Sequence, residues 1–158
     1  MKLKHLPGYI TGTILLSLSH LAWADWQLEP YLFDAVYYAD NNPDVEHADG
    51  YNKDMLAAHW KQNGIKEGRR SSPVFDVKYY LNHNADVQKQ LGKHNYEKAA
   101  YHWYTSGHKE GRPSHPDFNA KAYLKNHPAI AREVGKHNYE AAIDNYLNYG
   151  YKKGLKGN

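Results

Sequence analysis

Phe75-Asp76-Val77-Lys78-Tyr79-Tyr80-Leu81, followed by Asn84-Ala85-Asp86-Val87 and closed by Trp103, Gly107 and Gly111, is a pattern the chain writes three times. The first copy opens Phe33-Asp34-Ala35-Val36-Tyr37-Tyr38-Ala39, continues Asn42-Pro43-Asp44-Val45 and closes on Trp60, Gly64 and Gly68. The third opens Phe118-Asn119-Ala120-Lys121-Ala122-Tyr123-Leu124, continues His127-Pro128-Ala129-Ile130 and closes on Tyr146, Gly150 and Gly154. The closing positions recur every 43 residues, and the first copy is one residue shorter in its middle. Gly-Lys-His-Asn-Tyr-Glu stands at 92–97 and again at 135–140. Self-similarity at this period is the signature of a repeat architecture.

Each copy reads as two helices. Asp34, Asp76 or Asn119 starts the first, because a short polar side chain can accept from orphan backbone N–H groups. The preceding Phe33, Phe75 or Phe118 stands where a hydrophobic staple would. Pro43 and Pro128 stop that helix after about two turns, since the residue before proline avoids the α region. A short helical piece follows from Asp44, Asp86 and Ala129. The second helix is expected over 53–63, 96–106 and 139–149, with an apolar face of Leu56, Ala57 and Trp60; Ala99, Ala100 and Trp103; Ala142, Ile143 and Tyr146. Gly64, Gly107 and Gly150 should end it in the left-handed conformation. Arg70-Ser71-Ser72-Pro73 and Pro113-Ser114-His115-Pro116 separate the copies. The expected division is a cap segment over 25–32 and repeats over 33–73, 74–116 and 117–158. One such unit cannot bury its apolar face alone, so the expected fold is all-α: three tandem two-helix repeats stacked into a compact array.

The start of the chain reads as a signal peptide over 1–24. Lys2 and Lys4 precede the apolar Ile14, Leu15, Leu16, Leu18 and Leu21, and Ala22-Trp23-Ala24 supplies small residues for cleavage before Asp25. The apolar stretch is too short to span a bilayer. Two of the 20 Lys and Arg and none of the 17 acids precede Asp25, so the mature chain would carry +1. That gives no basic field for nucleic acid, and no stable membrane insertion is expected after cleavage. Absence of cysteine removes disulfides, thiolate metal sites and a Cys nucleophile. A periplasmic or secreted protein of a bacterial envelope fits these traits.

The post-helix turn carries Glu67-Gly68-Arg69 and Glu110-Gly111-Arg112. In the third copy Ala129 replaces the aspartate of Asp44 and Asp86, and Leu155 replaces the arginine, so both charges vanish together. Structural ion pairs between the aspartates Asp44 and Asp86 and the arginines Arg69 and Arg112, within a copy or between adjacent copies, are the natural reading, because a guanidinium fork matches a carboxylate. Of the 15 tyrosines and four tryptophans, Tyr38, Tyr80, Tyr123, Trp60 and Trp103 sit at helix-face spacings and are expected in a core. Tyr104, Tyr149 and Tyr151 lie off those positions and are candidate binding rings, with Glu67 and Glu110 as candidate polar partners.

The string F-D-x-x-Y-Y-L-x-x-N-P-D-V with a later H-W-x-x-x-G-x-x-E-G-R resembles short repeats of secreted bacterial proteins. Here Phe33, Asp34, Tyr37, Tyr38, Asn42, Pro43, Asp44, Val45, His59, Trp60, Gly64, Glu67, Gly68, Arg69 and their counterparts carry it, over 33–156. The resemblance implies an exported helical module and no particular chemistry. The second copy departs from the pattern at Ala85, and departures at Ala122, Ala129, Lys153 and Leu155 set the third copy apart. No nucleophile elbow, P-loop, dinucleotide fingerprint or H-E-x-x-H is present, and no cofactor is implied. The expected function is a non-catalytic envelope binding or scaffold module for a protein or cell-surface polysaccharide. The alternative is a periplasmic metal-binding protein using histidines such as His94 and His137, each three residues before a glutamate. Capping the helix start is the ordinary role for such a pair.

Overall fold

A computed structural model describes residues 26–158. The expected signal peptide lies outside the described residues. Among the described residues every element is helical, and extended backbone is limited to isolated bridges such as Ser72 with Phe75 and His115 with Phe118. No helix among them is long and apolar enough to cross a membrane.

Each sequence copy contains three helices rather than two. The first contains α1 (Ala35–Asn41), α2 (Pro43–Asp49) and α3 (Lys53–His59), with a one-turn α4 (Ile65–Glu67). The second contains α5 (Val77–His83), α6 (Ala85–Leu91) and α7 (Tyr96–His102), and the third α8 (Ala120–Asn126), α9 (Pro128–Val134) and α10 (Tyr139–Asn145). The short piece expected after the proline is thus a helix as long as its neighbour. The caps of α1, α5 and α8 form as the sequence suggests. Asp34 accepts from the Tyr37 N–H, Asp76 from Lys78 and Tyr79, and Asn119 from Ala122. Each preceding Phe meets the Tyr at the fourth helical position, with ring centroids 5.5, 5.7 and 6.0 Å apart.

Proline does not explain the break between the first two helices. The second copy has Ala85 at that position and breaks at the same place. The first two copies share a buried amide at the break. Asn42 Nδ2 donates to the Tyr38 carbonyl and to the Arg70 carbonyl, at 2.8 and 2.9 Å. Asn84 does the same to Tyr80 and Pro113, at 2.8 and 2.9 Å. An Asn that bonds the carbonyl four residues back competes with the helix ladder. In the third copy His127 reaches only the linker, with Nε2 3.0 Å from the Lys156 carbonyl.

The third helix of each copy runs on through one wide turn: Trp60–Gly64, Trp103–Gly107 and Tyr146–Gly150. There the N–H groups of Ile65, His108 and Tyr151 reach carbonyls five residues back, which makes the turns π-helical. Gly64, Gly107 and Gly150 therefore do not end the helix. Gly64 has φ −55° and stays right-handed, and neither it, Gly107 nor Gly150 has positive φ. The left-handed end falls four residues later, at Gly68, Gly111 and Gly154, with φ of 65°, 61° and 66°. Gly64, Gly107 and Gly150 are needed for space. A Cβ on any of them would collide with the hydroxyl of Tyr38, Tyr80 or Tyr123.

One buried cluster draws on all three copies. Its largest members are Trp60, Trp103, Tyr38, Tyr80, Tyr123, Phe75 and Phe118, all fully buried. Phe75 stacks on Trp103 and Phe118 on Tyr146, each with centroids 4.5 Å apart, while Phe33 and Trp60 stand 6.0 Å apart. Backbone bonds close each copy on itself: Asp34 N–H to Ser71 O, Asp76 N–H to Ser114 O and Asn119 N–H to Gly157 O, all 2.8 Å. Between copies, Tyr96 packs on Gly68 and Tyr139 on Gly111, so that a Cβ on either glycine would fall within 3 Å of the ring. Among the described residues nothing lies within 4 Å of the same point on Gly154. Residues 26–32 do more than cover the first copy. Gln27 O accepts from Trp60 Nε1 at 2.9 Å, while the Trp26 ring rests on Tyr101 and Tyr104 of the second copy.

Candidate functional site

Arg69 holds Asp44 in a fork, Nη1 to Oδ1 and Nη2 to Oδ2, both 2.8 Å. Its Nε meets Glu67 Oε2 at 2.5 Å. Arg112 repeats the arrangement, with Nη1 2.9 Å from the Asp86 carboxylate and Nε 2.5 Å from Glu110. Both guanidinia also lean on the buried Asn42 and Asn84 amide oxygens, at 3.4 Å. The Arg69 bond holds the Asp44 carboxyl below the usual carboxylate range. Asp44 and Asp86 remain largely exposed, so salt screens both pairs. These four side chains tie the second helix of a copy to its closing turn. Glu67 and Glu110 are the third members of the same networks, which engages the carboxylates considered as binding partners.

Of the candidate rings, Tyr149 and Tyr151 are exposed, with Tyr151 edged against Tyr37 and Tyr146. Tyr104 is not a free ring. It is half-buried among Trp26, Tyr31 and Tyr101 because residues 26–32 fold back over α7. Sequence reasoning could not foresee that, since it placed this segment at the end of the first copy. Tyr51 and Tyr101, which the repeat pattern does not single out, are exposed as well.

The histidines divide by role. His59 Nδ1 and His102 Nδ1 each lie 2.8 Å from a buried tyrosine hydroxyl, those of Tyr38 and Tyr80. In the third copy Asn145 takes the place, accepting from Tyr123 at 2.7 Å. Burial pushes the Tyr38 and Tyr80 phenols well above their ordinary value. His94 and His137 each face the hydroxyl of the tyrosine two residues on, Tyr96 and Tyr139. His108 is buried, with Nδ1 2.8 Å from the Trp103 carbonyl and Nε2 3.1 Å from Glu140 Oε1, joining the second copy to α10 of the third. His115 is also buried. Its Nδ1 accepts from the Asp117 N–H and its Nε2 meets Tyr37 Oη, both at 3.1 Å. Burial lowers its pKa, and the same loss of water raises Tyr37 to about 12. Among the described residues no group of three or more His, Asp or Glu side chains could hold a metal ion.

Among the described residues, clefts open on the surface at the junction of the first two copies and on the third. The smaller, about 540 Å³, lies between Asn42, Arg69 and Arg70 of the first copy and Asp76 and Lys78 of the second. The Arg70–Asp76 pair, 2.8 Å, crosses it. The larger, about 730 Å³, belongs wholly to the third copy, bounded by α8, α9 and the start of α10. Comparison with protein-family models, curated proteins and solved structures finds no match.

Proposed function

We propose that this chain is a non-catalytic exported repeat protein of the bacterial envelope, in which three tandem copies form a scaffold for binding a cell-surface polysaccharide or a protein. The observation that carries this reading is the repeated use of its reactive-looking residues in the first two copies. Asp–Arg–Glu networks, Tyr–His pairs and Phe–Trp stacks occur in parallel in successive copies and bond inward to one another. Groups committed to the same internal contact in each copy serve the fold, and the surface between them is left for recognition. The three copies lean on each other through Tyr96 on Gly68 and Tyr139 on Gly111, the nearest-neighbour contact expected of an array.

The test is retention of the mature chain, residues 25–158, on isolated envelope polysaccharide. Saturable retention with no change in polymer length supports the reading. Shortening of the polymer would make the protein an enzyme, and no retention on polysaccharide or on immobilised envelope protein would end the proposal. Cell fractionation should place the protein outside the inner membrane, and recovery in the cytoplasm would contradict export.

A further inference from the structure

The 730 Å³ cleft of the third copy differs in kind from the matching face of its two neighbours. Lys121 and Lys125 stand one helical turn apart on α8, and Arg132 and Lys136 face them from α9 and the turn after it. All four are exposed, and none has an acidic partner among the described residues. The contrast with the other arginines is sharp. Arg69, Arg70 and Arg112 are each held by a carboxylate, and Arg132 is not. No Asp or Glu lines the cleft, and Leu124 and Ala131 form an apolar floor.

A small residue, Ala131, lines the cleft where the other copies carry longer side chains. Position 131 corresponds to Gln88 in the second copy and Glu46 in the first. Gln88 lies half-buried across its own face, with Nε2 3.3 Å from the Leu81 carbonyl and 3.5 Å from Asn82 Oδ1. In the first copy Tyr51 crosses the face to Asp40, 2.6 Å away. Ala131 reaches neither partner. The surrounding charges change in step: Asp40, Asn82 and Lys125 are equivalent positions, as are His47, Lys89 and Arg132. The carboxylates Asp44 and Asp86 become Ala129.

We propose that this cleft is a binding site for an acidic glycan, a linear sugar chain bearing carboxylates that lie between the two cationic rails while its C–H edges meet Leu124 and Ala131. This rests on the reading of the chain as an envelope binding module and names its ligand class. Charge complementarity selects an anion. The volume suits a few sugar rings, since ligand clefts span roughly 300–1,000 Å³. Single-stranded nucleic acid fits less well because it needs free aromatic faces. Tyr139 is the sole ring of the lining beside His137, and it is packed on Gly111 with Lys121 Nζ 5.4 Å from its centroid.

The experiment is calorimetric titration of residues 25–158 with hexagalacturonate at low salt, with neutral maltohexaose, hexathymidylate and anionic phospholipid vesicles as parallel arms. Hexagalacturonate should bind, more weakly as salt rises, and maltohexaose should not. Ala131→Gln, which restores the residue of the second copy without altering charge, should weaken binding at least about fivefold. Lys125→Ala with Arg132→Ala should weaken it at least about tenfold. Lys89→Ala, on the matching face of the second copy, should leave it unchanged. Unaltered circular dichroism keeps folding out of the comparison. Failure to bind hexagalacturonate, equal or tighter binding of hexathymidylate or vesicles, or indifference to Ala131→Gln would overturn the proposal. If the Ala131→Gln protein still binds isolated envelope polysaccharide like the parent, the cleft assignment fails and the module reading stands. If the parent is retained neither on envelope polysaccharide nor on immobilised envelope protein, the module reading fails.

Discussion

Gly107→Ala separates two opposed accounts of the closing glycines. Gly107 is inside a helix at a right-handed conformation, so alanine should gain about 0.5–1 kcal/mol from propensity alone. Packing opposes this. The new methyl would strike the Tyr80 hydroxyl and lie 2.9 Å from Trp103 Cδ1 and 3.1 Å from Tyr80 Cζ. Both rings are fully buried in the main core and cannot swing into solvent. Overpacking costs about 1–3 kcal/mol, and displacing Tyr80 from His102, now 2.8 Å away, costs about 1 kcal/mol more. The net is a loss of about 1–3 kcal/mol. That corresponds to a fall in Tm of roughly 5–10 °C for a domain of this size. Urea denaturation followed by tryptophan fluorescence reads it directly. Combining the change with Tyr80→Phe, which deletes the struck hydroxyl, should cost at least about 1 kcal/mol less than the sum of the single variants. A neutral or stabilising Gly107→Ala, or strict additivity in the double variant, would refute the close-approach account.

Other outcomes follow from the same contacts. Trp60→Phe should destabilise about 1 kcal/mol more than Trp103→Phe, because Trp60 Nε1 donates to Gln27 while the buried Trp103 Nε1 has no partner among the described residues; equal losses in denaturant midpoint would contradict this. Asp44→Asn should lower Tm modestly at low salt, and the gap from the parent should close in 1 M salt as screening removes the pair; a gap that does not close means the Arg69 fork acts by packing. His115 has a folded pKa below its unfolded value, so the unfolded chain takes up the proton first and stability falls as pH drops below about 6.5. His115→Gln should flatten that slope by up to about 1.4 kcal/mol per pH unit, and an unchanged pH dependence of urea midpoints would rule the residue out as a contributor.

Features set by local chemistry were readable from sequence. The caps at Asp34, Asp76 and Asn119, the phenylalanine staples and the pairing of Asp44 with Arg69 follow from side-chain type and spacing, and the joint loss at Ala129 and Leu155 marked the pair as a unit. Features that depend on what lies across the fold were not. Nothing near Gly64 announces that Tyr38, 26 positions back, will place its hydroxyl over it, so the glycine was read as a helix end. The π-turns leave no local mark for the same reason. Pro43 and Pro128 masked the role of Asn42 and Asn84, visible only when the Arg70 and Pro113 carbonyls come into reach. The large cleft has no sequence mark, because its lining side chains come together only in the fold, from α8, α9 and the start of α10.

The account stands on one claim, that each copy folds only against its neighbour. Circular dichroism and urea titration of three chains, residues 33–73, 33–116 and 25–158, test it most directly. The account predicts an unfolded single copy, a marginal pair and a cooperative full chain, with stability rising at each added interface. An isolated 33–73 segment with the helicity and denaturant midpoint of the whole would contradict it.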